Sequence, residues 1–432
     1  MNMDVLRLAL RYLYGYRRRF VFVVIVVALG FAFISVTTSL SEGMERSVTN
    51  AALRHYAGHV FVMGRTKGGA SKIVMDHPGE VEGAIARAGV PVERIIRRTH
   101  EHSGASVVFA GEAVRLKDVF GVDFAAEADL FRSFDYRAGA FDESWDADTI
   151  VLSEPTARQL QAQVGDRLIL RLETRQGQIN TRTLIVRAVT GDDSIYGYAR
   201  AYMDRKTLTE VMDLDPASYS FMGIFLPDMS QAAHWAQEIH EELARTLPVS
   251  DPITRKEELT ENIRRSWDGV RYFTFGLPVY ISEVTDLLVA MQLASYALLV
   301  MILLVVIASV LVTYRVLLHE RVREIGTMQA LGFTRSRVMA VLLLEAAVVL
   351  AGAMALGGLL SLGITGALAL LSFEWIPGFE IFMEQGRLAA HYGVASVGTN
   401  VLFVLATVLP LVALMVLALV RREIPRLIHG ET

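Results

Sequence analysis

Cysteine is absent from all 432 residues. Disulfides, thiolate nucleophiles and cysteine-ligated zinc or iron–sulfur sites are excluded with it, as is lipidation at an N-terminal cysteine. No G-x-x-x-x-G-K-[ST] run occurs, nor any Gly-Lys pair, so the chain has no P-loop to cradle nucleotide phosphates. G-x-S-x-G is missing too. His234 and His240 in HWAQEIHEEL stand six apart, not the four that a zincin helix needs. A basic surplus is also lacking: 42 Lys and Arg face 46 Asp and Glu, a formal charge of −4, which leaves no footprint for nucleic acid. What abounds is hydrocarbon, with 53% hydrophobic residues and a mean hydropathy of +0.38.

That hydrocarbon is concentrated. A helix needs about 20 apolar residues to cross a bilayer, and four windows qualify: 20–40, 287–314, 338–371 and 397–420. The first, FVFVVIVVALGFAFISVTTSL, is too long for a signal peptide and lacks a prompt cleavage site, so it reads as a retained anchor. Basic residues in the short flanks set the direction. Arg7, Arg11 and Arg17 to Arg19 precede the first window; Arg315, Arg321, Arg323, Arg335 and Arg337 lie between the second and third; Arg421, Arg422 and Arg426 follow the fourth. The 372–396 loop holds only Arg387, against Glu374, Glu380 and Glu384. Both termini and the 315–337 turn are therefore expected in the cytoplasm, with 41–282 and 372–396 outside. Residues 1–19, with Val5, Leu6, Leu8, Leu10, Leu13 and Tyr14 among arginines, suit an amphipathic helix on the inner leaflet.

The pattern from 41 to 282 is mixed α/β. GHVFVMG, VERIIRRTH and ASVVFAG read as strands and VEGAIARAG as a helix. TIVLSEPTARQLQAQVGDRLILRLETRQGQINTRTLIVRAV reads as strand, helix, strand, hairpin, strand. YGYARAYM and SYSFMGIFLPD read as strands, DRKTLTEVM and MSQAAHWAQEIHEELART as helices. The expected fold is thus an α-helical membrane protein with four transmembrane helices and a large mixed α/β extracytoplasmic domain of two subdomains between helices 1 and 2. A β-rich insertion is expected at about 125–215 and a stalk at about 255–286. Catalytic chemistry is not found in it. His100-Glu101-His102 sets two imidazoles on one strand face, but no third ligand stands nearby in sequence, so a solvated strand end is preferred over a metal site. Asp192 and Asp193 read as a turn. No catalytic residue, metal or cofactor is assigned.

The 315–337 turn is the most informative stretch. As a helix, VREIGTMQALG puts Val322, Ile325, Met328 and Leu331 on one side, an apolar face expected to meet a cytosolic partner; the alternative, on these residues alone, is an ordinary charged loop obeying the positive-inside bias. Gly326 and Ala330 would allow close approach. Gly332 suits the helix stop and Thr334 the cap of the third span. Within that span Glu345 is an acidic group at membrane depth, costly unless it faces a bundle interior or cavity. Ala353, Gly357, Ser361 and Thr365 recur every fourth residue, a small-residue stripe that lets helices pack closely, within the chain or against a second subunit. Pro410 in the fourth span is tolerable there.

Arg323-Glu324-Ile325-Gly326, Ala330-Leu331-Gly332, Arg335, Glu345 and the glycine-rich run to Gly363 together resemble the core of FtsX-like ABC permeases, the group holding MacB and the lipoprotein-releasing LolC/LolE proteins. The layout is similar as well: one span, a large external domain, three spans. Ala157 to Asp166 is similar to the outer domains of the MacB and LolC/LolE branches. The resemblance implies a MacB-like periplasmic core and a permease of the bacterial inner membrane. It implies a coupling helix, with Arg321, Arg323, Glu324, Ile325, Gly326, Met328, Ala330, Leu331, Gly332 and Arg335, seated on a separate cytoplasmic ABC ATPase in two copies that holds the ATP and magnesium. It implies a second permease, identical or homologous, and a periplasmic carrier or membrane-fusion protein. Two functions are implied: ATP-driven extraction or export of a lipoprotein, lipid-like or periplasmic substrate through movements of spans and outer domain, or FtsX-type activation of an external hydrolase. A membrane-anchored sensor ranks last, since only short cytoplasmic tails are seen.

Overall fold

The computed structural model describes residues 17–66, 73–102, 104–174, 176–191, 197, 199–215, 218–320, 322–373, 382–383 and 387–420. The expected N-terminal amphipathic segment up to residue 16, Asp192, Asp193, Arg321 and the tail 421–432 lie outside them. The chain forms two compact units. One comprises Met1–Met44, Leu288–Phe373 and Arg387–Thr432; the other comprises Glu45–Leu287 and Glu374–Gly386.

Four helices carry the membrane unit: α1 (Arg17–Tyr56), α8 (Leu277–Glu320), α10 (Arg335–Ala369) and α11 (Val394–Val420). Each contains a stretch long and apolar enough to cross a membrane. Helix is the solution lipid enforces, because every backbone polar group is satisfied within the segment. At 1.5 Å per residue, α1 and α8 run to about 60 Å and more, twice the hydrocarbon thickness. The spanning windows of α1 and α10 are half buried, that of α8 only 18%. So α1 and α10 form the centre, and α8 turns most of its apolar surface, including Leu293, Met301, Leu304 and Val312, outward. The core joins Val23, Val27, Phe31 and Ile34 of α1 to Leu342, Ala346, Leu350 and Ala353 of α10 and Val404, Val408 and Val412 of α11. Polar clips add to it. Asn400 Nδ2 donates to Thr38 Oγ1 at 3.0 Å, and the Glu42 carboxylate accepts from Gly393 N at 3.3 Å and from Ser396 Oγ.

The second unit is built on one twelve-stranded sheet. In chain order its elements are β1 (Val60–Thr66), α2 (Pro78–Arg87), β2 (Arg94–His102), β3 (Ala105–Phe109), β4 (Glu112–Arg115), β5 (Asp118–Val122), α3 (Ala128–Arg132) and β6 (Tyr136–Gly139). There follow β7 (Thr149–Ser153), α4 (Glu154–Leu160), β8 (Arg167–Glu173), β9 (Ile179–Thr190), β10 (Arg200–Asp204), α5 (Arg205–Val211), β11 (Phe221–Phe225), α6 (Ala232–Leu243), α7 (Lys256–Arg264) and β12 (Val270–Gly276). The strand order is β12-β1-β11-β2-β5-β10-β7-β9-β8-β3-β4, with β6 on β9. One core gathers Val60, Val62, Val81, Ile85, Met222, Ile224, Ile239 and Leu243. Another gathers Val107, Ile150, Leu152, Leu160, Leu168, Leu184, Met203 and Leu208.

Two expectations are corrected. The insertion does not start at 125, because the seam falls inside β2. Arg94 to Arg98 pair antiparallel with β11, and Thr99 to His102 continue antiparallel onto β5. Strands β3, β4 and β5 therefore belong to the inserted half. The 255–286 stretch is not a simple stalk either. It holds α7, the strand β12, paired along its full length with β1, and the first turns of α8. Five successive residues of β12 are buried, so both its faces are covered. Such a strand shows none of the apolar–polar alternation by which a half-exposed one is recognised.

Candidate functional site

Between α8 and α10 the chain forms the short helix α9 (Val322–Ala330). Its end is built from local hydrogen bonds: Leu331 N to Thr327 O, Gly332 N to Gln329 O and Phe333 N to Met328 O, each 3.0 Å. Gly332 has φ +89°, a conformation glycine adopts without penalty. Thr334 Oγ1 then accepts from Arg337 N and caps α10. The two helices are thereby joined by a turn with little slack.

The apolar face of α9 points the other way from the sequence expectation. Ile325 is 1% exposed and belongs to the membrane core, with Val322 and Met328 packed against the same cluster. Gly326 and Gln329 are buried with it. The physical reason is proximity: α9 follows directly on α8, so the nearest apolar partner for its stripe is the unit's own spans. What remains outward is Arg323, Thr327, Ala330, Leu331, Gly332, Phe333 and Arg335, with Leu331 76% exposed. Glu324 is half-buried.

Farther along α10, Glu345 is 2% exposed, between Leu342 and Ala346 of the core. The stripe Ala353, Gly357, Ser361 and Thr365 is buried along its whole length, and its partner is inside the chain. A Cβ added at Gly357 would stand 2.4 Å from Ala28 O and 3.1 Å from Phe31 Cβ, so α1 lies directly on it. Lower in the stripe, Thr365 Oγ1 and Tyr392 Oη are 2.9 Å apart, and Tyr392 Oη donates to Ser361 Oγ at 3.4 Å. An open groove lies beside α1 and α8, lined by Phe33, Thr37, Thr38, Ser41, Glu42, Gln292 and Tyr296.

In the α/β unit the sheet register assembles polar groups that are far apart in sequence. His102 is opposite Asp118, and His100 opposite Phe120. Asp118 Oδ1 lies 2.8 Å from His100 Nε2 and 2.7 Å from His102 Nδ1. Its other oxygen accepts from Arg200 Nε at 3.3 Å, and Arg200 Nη2 donates to Tyr56 Oη at 2.9 Å. Burial pushes the His100 imidazole down, more than Asp118 raises it. Burial opposes the charge on Asp118, but hydrogen bonds from His100 and His102 and the Arg200 charge hold its carboxyl well below the carboxylate range. Burial likewise opposes the Arg200 charge, which Tyr56 and Asp118 restore. Beside it Arg98 and Glu127 form a fully buried ion pair. Sequence reasoning found the two histidines and missed Asp118, since only the pairing of β2 with β5 brings it there.

The family model "FtsX-like permease C-terminal" matches residues 296–424, and the model "MacB-like periplasmic core domain" matches 20–242. No curated protein matches the chain at comparable significance. Among solved structures, the extracellular domain of the noncanonic ABC-type transporter YknZ from Gram-positive bacteria is similar at 12% identity and TM-score 0.29, over 43% of this chain and 93% of that one. The periplasmic region of MacB from Actinobacillus actinomycetemcomitans matches at 10% identity and TM-score 0.31, over 54% and 96%. A domain of a putative permease from Porphyromonas gingivalis matches at 17% and 0.27, over 50% and 86%. One match spans the first helix and most of the sheet, the other the remaining spans with α9 between them, and on these the chain belongs to the FtsX/MacB-like ABC permeases.

Proposed function

We propose that this permease transmits ATP hydrolysis by a separate cytoplasmic ABC ATPase, present in two copies, to its spans and α/β unit, and so extracts or exports a lipoprotein, lipid-like or periplasmic substrate. An ABC ATPase partner follows from the family. The observation that carries the reading is the build of α9. A handle must be stiff towards the membrane and exposed towards its driver. Ile325, Val322 and Met328 root α9 in the core, the Gly332–Thr334 turn ties it to α10, and Arg323, Ala330, Leu331 and Arg335 stay accessible. A push on that surface is passed to α10 and, through the Gly357 contact, to α1. Both termini and α9 are cytoplasmic in this reading, by the arginine bias. A second permease, identical or homologous, would cover the outward face of α8, and a periplasmic carrier or membrane-fusion protein would receive the cargo. The lining of the α1–α8 groove, aromatic rings of Phe33 and Tyr296 beside the polar Thr37, Thr38, Ser41, Glu42 and Gln292, suits an amphiphile better than a hydrolase-activating relay needs, which favours transport over the activator reading.

Leu331→Glu tests it. The side chain is solvent-facing, so the chain should insert and fold as before while the ATPase no longer co-purifies. Full ATPase retention in this variant and in Ala330→Glu would overturn the assignment. Gly326 is unsuitable for the purpose, because it is buried and its substitution would disturb the fold itself.

A further inference from the structure

We propose that His100, His102 and Asp118 form a binding site for a divalent transition-metal ion of the zinc type. The three ligand atoms lie within 4.8 Å of one another. The set is two imidazoles and one carboxylate, the composition of three-ligand zinc sites that keep one position open. Hard cations such as magnesium and calcium prefer all-oxygen cages, so the nitrogen donors select zinc, cobalt, nickel or copper.

The site is organised before any ion arrives. His100 and His102 are two apart on β2 and share a face, and β5 delivers the carboxylate opposite. The His100 ring is stacked on Phe120, centroids 4.3 Å apart at 9°, which fixes its direction. Arg200 holds the second carboxylate oxygen, an outer hydrogen bond of the sort that orients ligating groups. Metal–ligand bonds of about 2.0–2.1 Å place tetrahedral donors about 3.3 Å apart, so the present 2.7 and 2.8 Å contacts must open by about half an ångström. His102, 45% exposed, can make that adjustment, and its exposure provides the entry path and the place for a water as fourth ligand. Binding displaces the protons carried on the ligating nitrogens. The Arg200 charge behind Asp118 weakens the attraction for a cation.

The location gives the ion a consequence. Residues 99–102 are where β2 leaves β11 and begins to pair with β5. An ion bridging His100 and His102 to Asp118 would clamp the two halves of the sheet at their seam.

The test uses the full chain without a histidine tag, purified in detergent and stripped with a chelator. Equilibrium dialysis against Zn²⁺, followed by metal analysis, should retain one equivalent per chain. Co²⁺ in its place should give the intense visible absorption of a low-coordinate nitrogen–oxygen site. His102→Ala should weaken binding by at least about tenfold, and His234→Ala, an exposed histidine on α6, should change nothing. No retained ion in the parent chain, or equal retention in the His102→Ala variant, would overturn the proposal. Should His102→Ala misfold, His102→Gln takes its place, and retention equal to the parent in that variant overturns the proposal.

Discussion

Replacing Gly357 by leucine measures how closely α10 is keyed to α1. The added Cβ would sit 2.4 Å from Ala28 O and 3.2 Å from Ala28 C. Comfortable non-bonded contact begins near 3.5 Å, so α1 must retreat by about 1 Å. Because the obstacle is backbone, no rotamer relieves it. Overpacking of this kind costs about 1–3 kcal/mol, and the gain in helix propensity from removing a glycine recovers at most about 1 kcal/mol. A net loss of roughly 1–2 kcal/mol is therefore expected. Gly352 and Gly366 on the same helix have nothing within 4 Å of a Cβ, so Gly352→Leu and Gly366→Leu should be neutral or slightly stabilising. The assay is thermal unfolding of the full chain in detergent micelles, followed by circular dichroism. Equal stability of Gly357→Leu and its parent, or equal losses in the two control variants, would refute the packing argument.

Glu127→Ala should cost about 3–5 kcal/mol, because it leaves the Arg98 guanidinium buried and without its carboxylate; the bond that Arg98 Nη1 donates to His55 O at 2.5 Å remains. Denaturant unfolding of the variant would register it as a lowered midpoint. The pH dependence follows from His59, His100 and His240, all lowered by burial, with Leu226 N–H donating to the His59 ring. A histidine depressed in the fold binds fewer protons than in the unfolded chain. Stability is then full above an unfolded pKa of about 6.5 and falls on acidification, by at most about 1.4 kcal/mol per pH unit for each group. Unfolding measured from pH 7.5 to 5.5 should show this decline, and His240→Gln should lessen its slope; a slope unchanged by that substitution would contradict the assignment.

Much of the architecture was legible in the chain itself because its causes are local. A run of about 20 apolar residues can do little but cross a bilayer as a helix, so the four spans needed no tertiary information. Gly332 and Thr334 announced the break between α9 and α10 because a stop and a cap are properties of single residues. Glu345 was expected inside the bundle because an exposed carboxylate in hydrocarbon is too costly. Composition alone excluded thiol chemistry and a P-loop. Direction was another matter. Periodicity showed that α9 has an apolar face but not what covers it, and Ile325 turned out to be rooted in the chain's own core. The stripe on α10 left two partners open until the Gly357–Ala28 contact chose α1. Strand β12 escaped notice because burial on both faces erases alternation. Asp118 could not be placed beside His100 and His102, since strand pairing is a long-range choice made by whole cores, and no residue near the histidines carries a mark of it.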